Sequence, residues 1–219
     1  MSILDPSRLA ALRDEHGVEL GEGAWIAHLP GLLVDHVASM ERVLAEVPLA
    51  PERLVIFGKP VETPRLVSFH GEPHARYGYS GRVFEPRAWT PVLASVRETL
   101  AAQTGARFDC VLVNHYRDGK DAMGWHSDDE PELGPDAPGD VLIASVSLGA
   151  PRRFVLRHRR RTKERHELWL GEGSLLVMGG ATQRRFQHSV PRTAAEVGAR
   201  TNLTFRLIRF HDLFSSHVD

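Results

Sequence analysis

The chain has one cysteine, Cys110, so neither an internal disulfide nor a cysteine-rich zinc site is available to it, and a lone thiol fits a reducing compartment. It has no excess of either charge. With 27 Lys and Arg against 28 Asp and Glu, no global cationic field announces a polyanionic partner, and any nucleic-acid signal has to be local. Long apolar runs are missing as well. The most apolar early stretch, Trp25 to Val37, is broken by His28, Pro30, Gly31 and Asp35 well short of a membrane span, and Met1 to His16 carries Asp5, Arg8, Arg13, Asp14 and Glu15 where a secretion signal needs an apolar centre. These absences predict no membrane partner and a place in the cytoplasm or, in a eukaryotic source, the nucleus; we expect a monomer. There is no internal repeat and no Gly/Ser linker, so we expect one domain over 1–219.

What is there begins with an ordinary globular composition, 42% hydrophobic and 25% charged, sufficient for a core. Apolar spacing predicts three early helices: Pro6 to Glu15, Val34 to Val47 and Trp89 to Gln103. From Phe108 onward the pattern changes to short strands: Phe108 to His115, Leu142 to Leu148, Arg153 to Leu156, Glu167 to Leu170, Ser174 to Met178 and Thr201 to Ile208. Helices followed by an all-β half predict an α+β, mainly β fold, a two-sheet jelly roll with the N-terminal helices packed on one outer face. Within it we expect a helical part over about 1–50, a lid over about 51–90 and a β core over about 105–210.

The chemistry starts at His126-Ser127-Asp128. In an extended segment, residues two apart project to the same face and can grip one ion, and His188 in Phe186-Gln187-His188-Ser189-Val190-Pro191 is the best candidate for a third ligand. Two His and one carboxylate on one face suit a non-haem Fe(II) oxygenase, with positions left open for a bidentate co-substrate and O2; the same three could hold zinc. An Fe(II) site of this kind needs a 2-keto acid and therefore a cation for its distal carboxylate. The run Arg200-Thr201-Asn202-Leu203-Thr204-Phe205-Arg206 alternates strictly, with Arg200, Asn202, Thr204 and Arg206 on one face. Such a face is either the solvated side of an edge strand or a lining in which Arg offers forked recognition of a carboxylate. Asn114 and Tyr116, again two apart, could complete that lining from a neighbouring strand.

Together, Asn114-His115-Tyr116, His126-Ser127-Asp128, the run Ala144 to Gly149, His188-Ser189-Val190-Pro191 and Arg200 to Arg206 resemble the AlkB family of nucleic-acid dealkylases, over about Phe57 to Ile208. Asp128-Asp129-Glu130, Pro64-Arg65 and Tyr77 to Gly81 resemble most the branch acting on duplex DNA. The resemblance implies a double-stranded β-helix core, Fe(II) on His126, Asp128 and His188, and 2-oxoglutarate on Asn114, Tyr116, Arg200, Asn202, Thr204 and Arg206. It implies oxidative removal of alkyl groups from bases such as 1-methyladenine and 3-methylcytosine, in single or duplex DNA or in RNA. A base in a duplex must be extruded to reach a buried metal. Tyr77 and Tyr79 are candidates to stack on it, Asp129 and Glu130 to face it, and Phe57, with Gly58 and Lys59 after it, to fill the gap it leaves. His70 reads as a surface residue. The run Arg152 to His166 holds eight Arg or Lys and one Glu, a hairpin tip able to meet phosphates or simply a solvated loop. Rival readings are the same oxidation on RNA or protein, a silent binding module, and a cupin-like hydrolase.

Overall fold

A computed structural model describes residues 4–32, 39–56, 59–79, 82–134 and 141–208, with the backbone alone for 53–56, 59–61, 77–79 and 82–84. In chain order the elements are α1 (Pro6–His16), β1 (Gly17–Gly21), β2 (Ala24–Leu29), α2 (Met40–Glu46), β3 (Ala50–Ile56), β4 (Lys59–Gly71), β5 (Tyr77–Tyr79), β6 (Arg82–Phe84), α3 (Pro91–Thr104), β7 (Cys110–Tyr116), β8 (Met123–His126), β9 (Ile143–Gly149), β10 (Arg152–His158), β11 (Arg165–Leu170), β12 (Ser174–Gly180), α4 (Thr182–Arg185), β13 (Phe186–Val190) and β14 (Arg200–Arg206).

The helices start where side chains can satisfy their free N–H groups. Asp5 accepts from the Ser7 and Arg8 amides ahead of α1, Ser39 from the Arg42 amide ahead of α2, and Thr90 from the Leu93 amide ahead of α3. Pro6 and Pro91 occupy first-turn positions that need no donor. Gly105 ends α3 in the left-handed region, where a Cβ would come within 2.7 Å of the Asp5 carbonyl oxygen. The predicted second helix is shorter than expected: α2 begins at Met40, and 34–38 lie outside the described residues.

Two sheets face each other. The larger runs β1-β2-β12-β9-β14-β7-β4-β3 and the smaller β11-β10-β13-β8, with β5 and β6 as a separate hairpin. Every named pairing is antiparallel. Helices α1, α2 and α3 cover the outer face of the large sheet, where Leu12, Val43, Leu93, Val96 and Leu100 meet Val111, Val113, Leu203 and Phe205. The jelly-roll expectation holds, but the order of helices first and strands after does not. β1 to β4 are threaded between the early helices, and β2 and β4 sit inside the large sheet.

Between the two readings of the β14 face, the pairing decides for a lining: β7 flanks the strand on one side and β9 on the other, through all seven residues, so it is no edge strand. Its alternation therefore separates two interiors, with Leu203 and Phe205 under the helices and Arg200, Asn202, Thr204 and Arg206 in the space between the sheets. His70 is likewise buried instead of superficial, with Nδ1 2.7 Å from the Ala88 carbonyl oxygen and Nε2 3.0 Å from the Ser68 hydroxyl.

Candidate functional site

β8 pairs with β13 so that His126 stands opposite His188, which puts both imidazoles on the inner face with ring centroids 4.2 Å apart. Asp128, two residues past His126, turns into the same space. Donor atoms of His126, Asp128 and His188 all lie within 4.8 Å of one another. Four contacts fix this arrangement. The Gln183 side-chain oxygen accepts from the Asp128 amide at 3.0 Å, and the Ser127 hydroxyl donates to the Phe186 carbonyl at 2.9 Å. Phe154 stacks on the His188 ring at 5.3 Å. His126 Nδ1 is 2.9 Å from the Gly124 carbonyl oxygen, and as a donor there it leaves the Nε2 lone pair for a cation.

The electrostatics suit a metal. Burial, with the His188 ring beside it, pushes His126 down to about 3, so it is neutral at pH 7, the form a ligand needs. Burial alone would raise Asp128. The Arg206 guanidinium, paired with its Oδ1, and the two imidazoles outweigh that and hold the carboxyl well below the usual range. Its Oδ2 is buried with no hydrogen-bond partner, 3.4 Å from His188 Nε2. A buried carboxylate oxygen without a donor is costly unless a cation meets it, so this donor set fits a divalent ion.

Across the same cavity, Arg200 is 1% exposed and donates from one terminal nitrogen to the Ser147 hydroxyl at 2.8 Å. Its Nε and other terminal nitrogen have no hydrogen-bond partner among the described residues. A guanidinium this deep calls for an anion, and two free forked donors fit a carboxylate. The ring of Tyr116 flanks it, 5.4 Å from its carbon. Asn202 is tied by donation to the Ser145 hydroxyl and the Val146 carbonyl, and it accepts from Thr204. Asn114 accepts from Arg65 Nε at 2.7 Å. Burial pushes the Glu130 carboxyl up to about 7, against the pull of Arg206 and with repulsion from Asp128.

One cavity thus brings together Asn114, Tyr116, His126, Asp128, Glu130, His188, Arg200, Asn202, Thr204 and Arg206. Asp129 points elsewhere, into an ion pair with Arg159. Tyr77 and Tyr79 belong to β5, whose backbone packs against the short turn Pro131–Leu133 just beyond Glu130. Lys59 opens β4, while Phe57 and Gly58 lie outside the described residues. Sequence reasoning did not single out Gln183 or Phe154, and it used Arg65 only as part of a motif. Among the described residues no helix is long and apolar enough to cross a membrane.

The sequence matches the 2OG-Fe(II) oxygenase superfamily over residues 28–206. A DNA oxidative demethylase, ALKBH2 of Mus musculus, is 42% identical over 163 residues, covering 71% of this chain and 66% of that protein. ALKBH2 of Homo sapiens is 41% identical over 163 residues, covering 71% and 61%. The alpha-ketoglutarate-dependent dioxygenase alkB homolog 3 of Rattus norvegicus is 36% identical over 200 residues, covering 87% and 61%. The chain spans less than two thirds of the length of these relatives. The solved structure of OsALKBH1 shares the fold at a TM-score of 0.58 and 18% identity, covering 87% of this chain and 99% of that one.

Proposed function

This chain belongs to the AlkB family within the 2OG-Fe(II) oxygenase superfamily, and from that premise we propose that it oxidatively removes alkyl groups from damaged DNA bases such as 1-methyladenine and 3-methylcytosine. The observation that carries the proposal is the pairing, across one cavity, of a His126–Asp128–His188 cluster with a buried Arg200 that has two unpartnered donors. His126, Asp128 and His188 hold Fe(II). Arg200 grips the distal carboxylate of 2-oxoglutarate, with Asn114, Tyr116, Asn202, Thr204 and Arg206 lining the rest of its berth. Fe(II) with 2-oxoglutarate and O2 supplies the oxidant that hydroxylates the N-alkyl carbon, yielding succinate and CO2, after which the hydroxylated carbon leaves as an aldehyde.

The protein's own part is position and exclusion. Arg206 holds the Asp128 carboxyl ionised while leaving Oδ2 for the metal. Phe154, Met178 and Leu112 give the cavity a dry wall on either side. Glu130 faces the base, Tyr77 and Tyr79 stack on it, and Asp129 steadies the basic hairpin through Arg159. Phe57, followed in the sequence by Gly58 and Lys59, fills the gap in a duplex. Phe57→Ala is then expected to lose turnover on methylated duplex and keep it on single strands; equal loss on both would remove the finger role. We expect a monomer in a reducing compartment, cytoplasmic or nuclear, in keeping with a single cysteine, Cys110, that is free and buried.

The deciding experiment measures succinate formation with and without Fe(II), and with methylated single-stranded DNA, duplex DNA or RNA. DNA-stimulated, iron-dependent succinate and loss of the methyl group support the reading. Stimulation by RNA alone would move the substrate to RNA, and iron-independent background with every nucleic acid would overturn it.

A further inference from the structure

The outer face of the smaller sheet carries a feature for which the chemistry above has no use. Trp169 on β11 is 66% exposed, more than any other large apolar side chain among the described residues. β11 alternates, with His166, Leu168 and Leu170 turned inward and Arg165, Glu167 and Trp169 outward. An uncovered indole there leaves a large apolar area in water, which a partner could bury. In register across from it stands Arg153 on β10, half-exposed and 3.6 Å from Glu167. Trp169 and Arg153 line a groove with Pro151, Pro191 and Arg192, and no described acidic side chain lines it. Arg192 makes no hydrogen bond or ion pair among the described residues, so its charge is available.

This groove adjoins a second one that borders the catalytic cavity. Pro191 and Arg192 also wall that second groove, which runs past Trp125 to Arg65 and His126, and those last two residues line the cavity itself. Arg157 lies over the Trp125 ring at 4.1 Å. Outward from the metal cluster, the path therefore alternates cation and ring: Arg65, then Trp125 with Arg157, then Arg192, then Trp169 with Arg153.

We propose that this path is a berth for the single strand flanking the damaged base, with one base stacked on Trp169 and backbone phosphates on Arg192 and Arg153. Rings at intervals with guanidinium groups between them hold single strands without regard to sequence, because every base has a π-face and every step a phosphate. The charges Arg165 and Glu167 on the edge of β11 disfavour pairing with another strand, which weighs against a peptide or a second copy. The inference rests on the cavity being a nucleobase site.

The test is fluorescence anisotropy under anaerobic conditions, where binding is read without turnover. Two probes carry the same central 3-methylcytosine, one a trinucleotide and the other a strand of about 15 nucleotides, long enough to leave the cavity. Wild type is expected to bind the long probe more tightly. Trp169→Ala is expected to weaken the long probe about tenfold and leave the trinucleotide unchanged, with Trp169→Phe restoring most of the loss. Arg192→Ala is expected to weaken the long probe and flatten its salt dependence. Wild-type affinity of Trp169→Ala for the long probe would overturn the berth. So would a change confined to the sedimentation coefficient, which would make this face a self-association surface. If wild type binds the trinucleotide but gains nothing with length, the berth fails and the nucleobase reading stands; if it binds neither probe, both fail.

Discussion

Arg200 and Arg206 occupy the two ends of one strand face and do different work. Arg206 is paired with the Asp128 carboxylate, whereas Arg200 meets no carboxylate among the described residues. Arg200→Ala is therefore expected to raise the 2-oxoglutarate KM about 10- to 100-fold, the loss of a charge-assisted hydrogen bond worth about 1.5–3 kcal/mol, with little change in folding. Initial rates of succinate formation against 2-oxoglutarate concentration check it, and an unchanged KM would mean that Arg200 is only a buried structural cation. Much of the residue-level site was legible because period-two alternation ties Arg200, Asn202, Thr204 and Arg206 to one face whatever the fold around them. The neighbours Asp129 and Glu130 were not separable, since adjacent acids look alike in sequence; Arg159, thirty residues on, is what draws one of them outward. Gln183 was invisible for a similar reason: an amide that accepts from a backbone N–H has no signature of its own.

At the scale of elements, Arg152 links the strands that carry the two histidines. Its buried guanidinium donates to the carbonyls of Asp118 and Asp121, in the connection leading to β8, and of Pro191, just past β13. Its carbon also lies 5.8 Å from the centre of the Tyr116 ring, whose other neighbour is Arg200. Replacing it by Leu leaves three carbonyls short of a donor and loosens both strands. Arg152→Leu is expected to lower unfolding stability by about 3 kcal/mol in urea titration and to weaken Co(II) binding, read from its visible absorption. Intact Co(II) affinity in a destabilised variant would confine Arg152 to general stability. Sequence found α1, α3, β7, β9, β10, β11, β12 and β14, where capping residues or apolar periodicity are strong. It placed β4 within the lid of about 51–90 and predicted no strand there, in a run that holds Pro60 and Pro64. Pro64 is tolerated because it falls in an irregularity of the β3 pairing and before the β7 pairing begins at Leu66, so neither ladder asks for its missing N–H. Of β8 only its end at His126 was read as extended, because the strand has four residues, one of them Gly124, too few for any period to register.

Taken as a whole molecule, the chain has almost no net charge, so its attraction for a polyanion depends on how locally its cations are placed and how many are already spent. The β10–β11 hairpin is dense in Arg and Lys, yet the structure divides them. Arg159 is paired with Asp129, and Arg161 with Glu22 and Glu164, contacts that fasten the hairpin to the β1–β2 turn and to the catalytic loop. Arg160 and Lys163 are exposed and, among the described residues, make no hydrogen bond through their side chains and no ion pair. A phosphate can meet these two without breaking an existing contact, and each neutralised phosphate releases a counterion that shows as salt dependence. The double variant Arg160→Ala, Lys163→Ala is thus expected to reduce the slope of log affinity against log salt by about 1.4 on a single strand, at about 0.7 per phosphate, with melting temperature unchanged. Arg161→Ala is expected to do the reverse, lowering the melting temperature while moving the slope little, because its charge already faces two carboxylates. Affinities for a methylated oligonucleotide at four or five salt concentrations check both. A slope that does not respond to the double variant would make the hairpin a solvated loop and leave phosphate recognition to other cations of the chain.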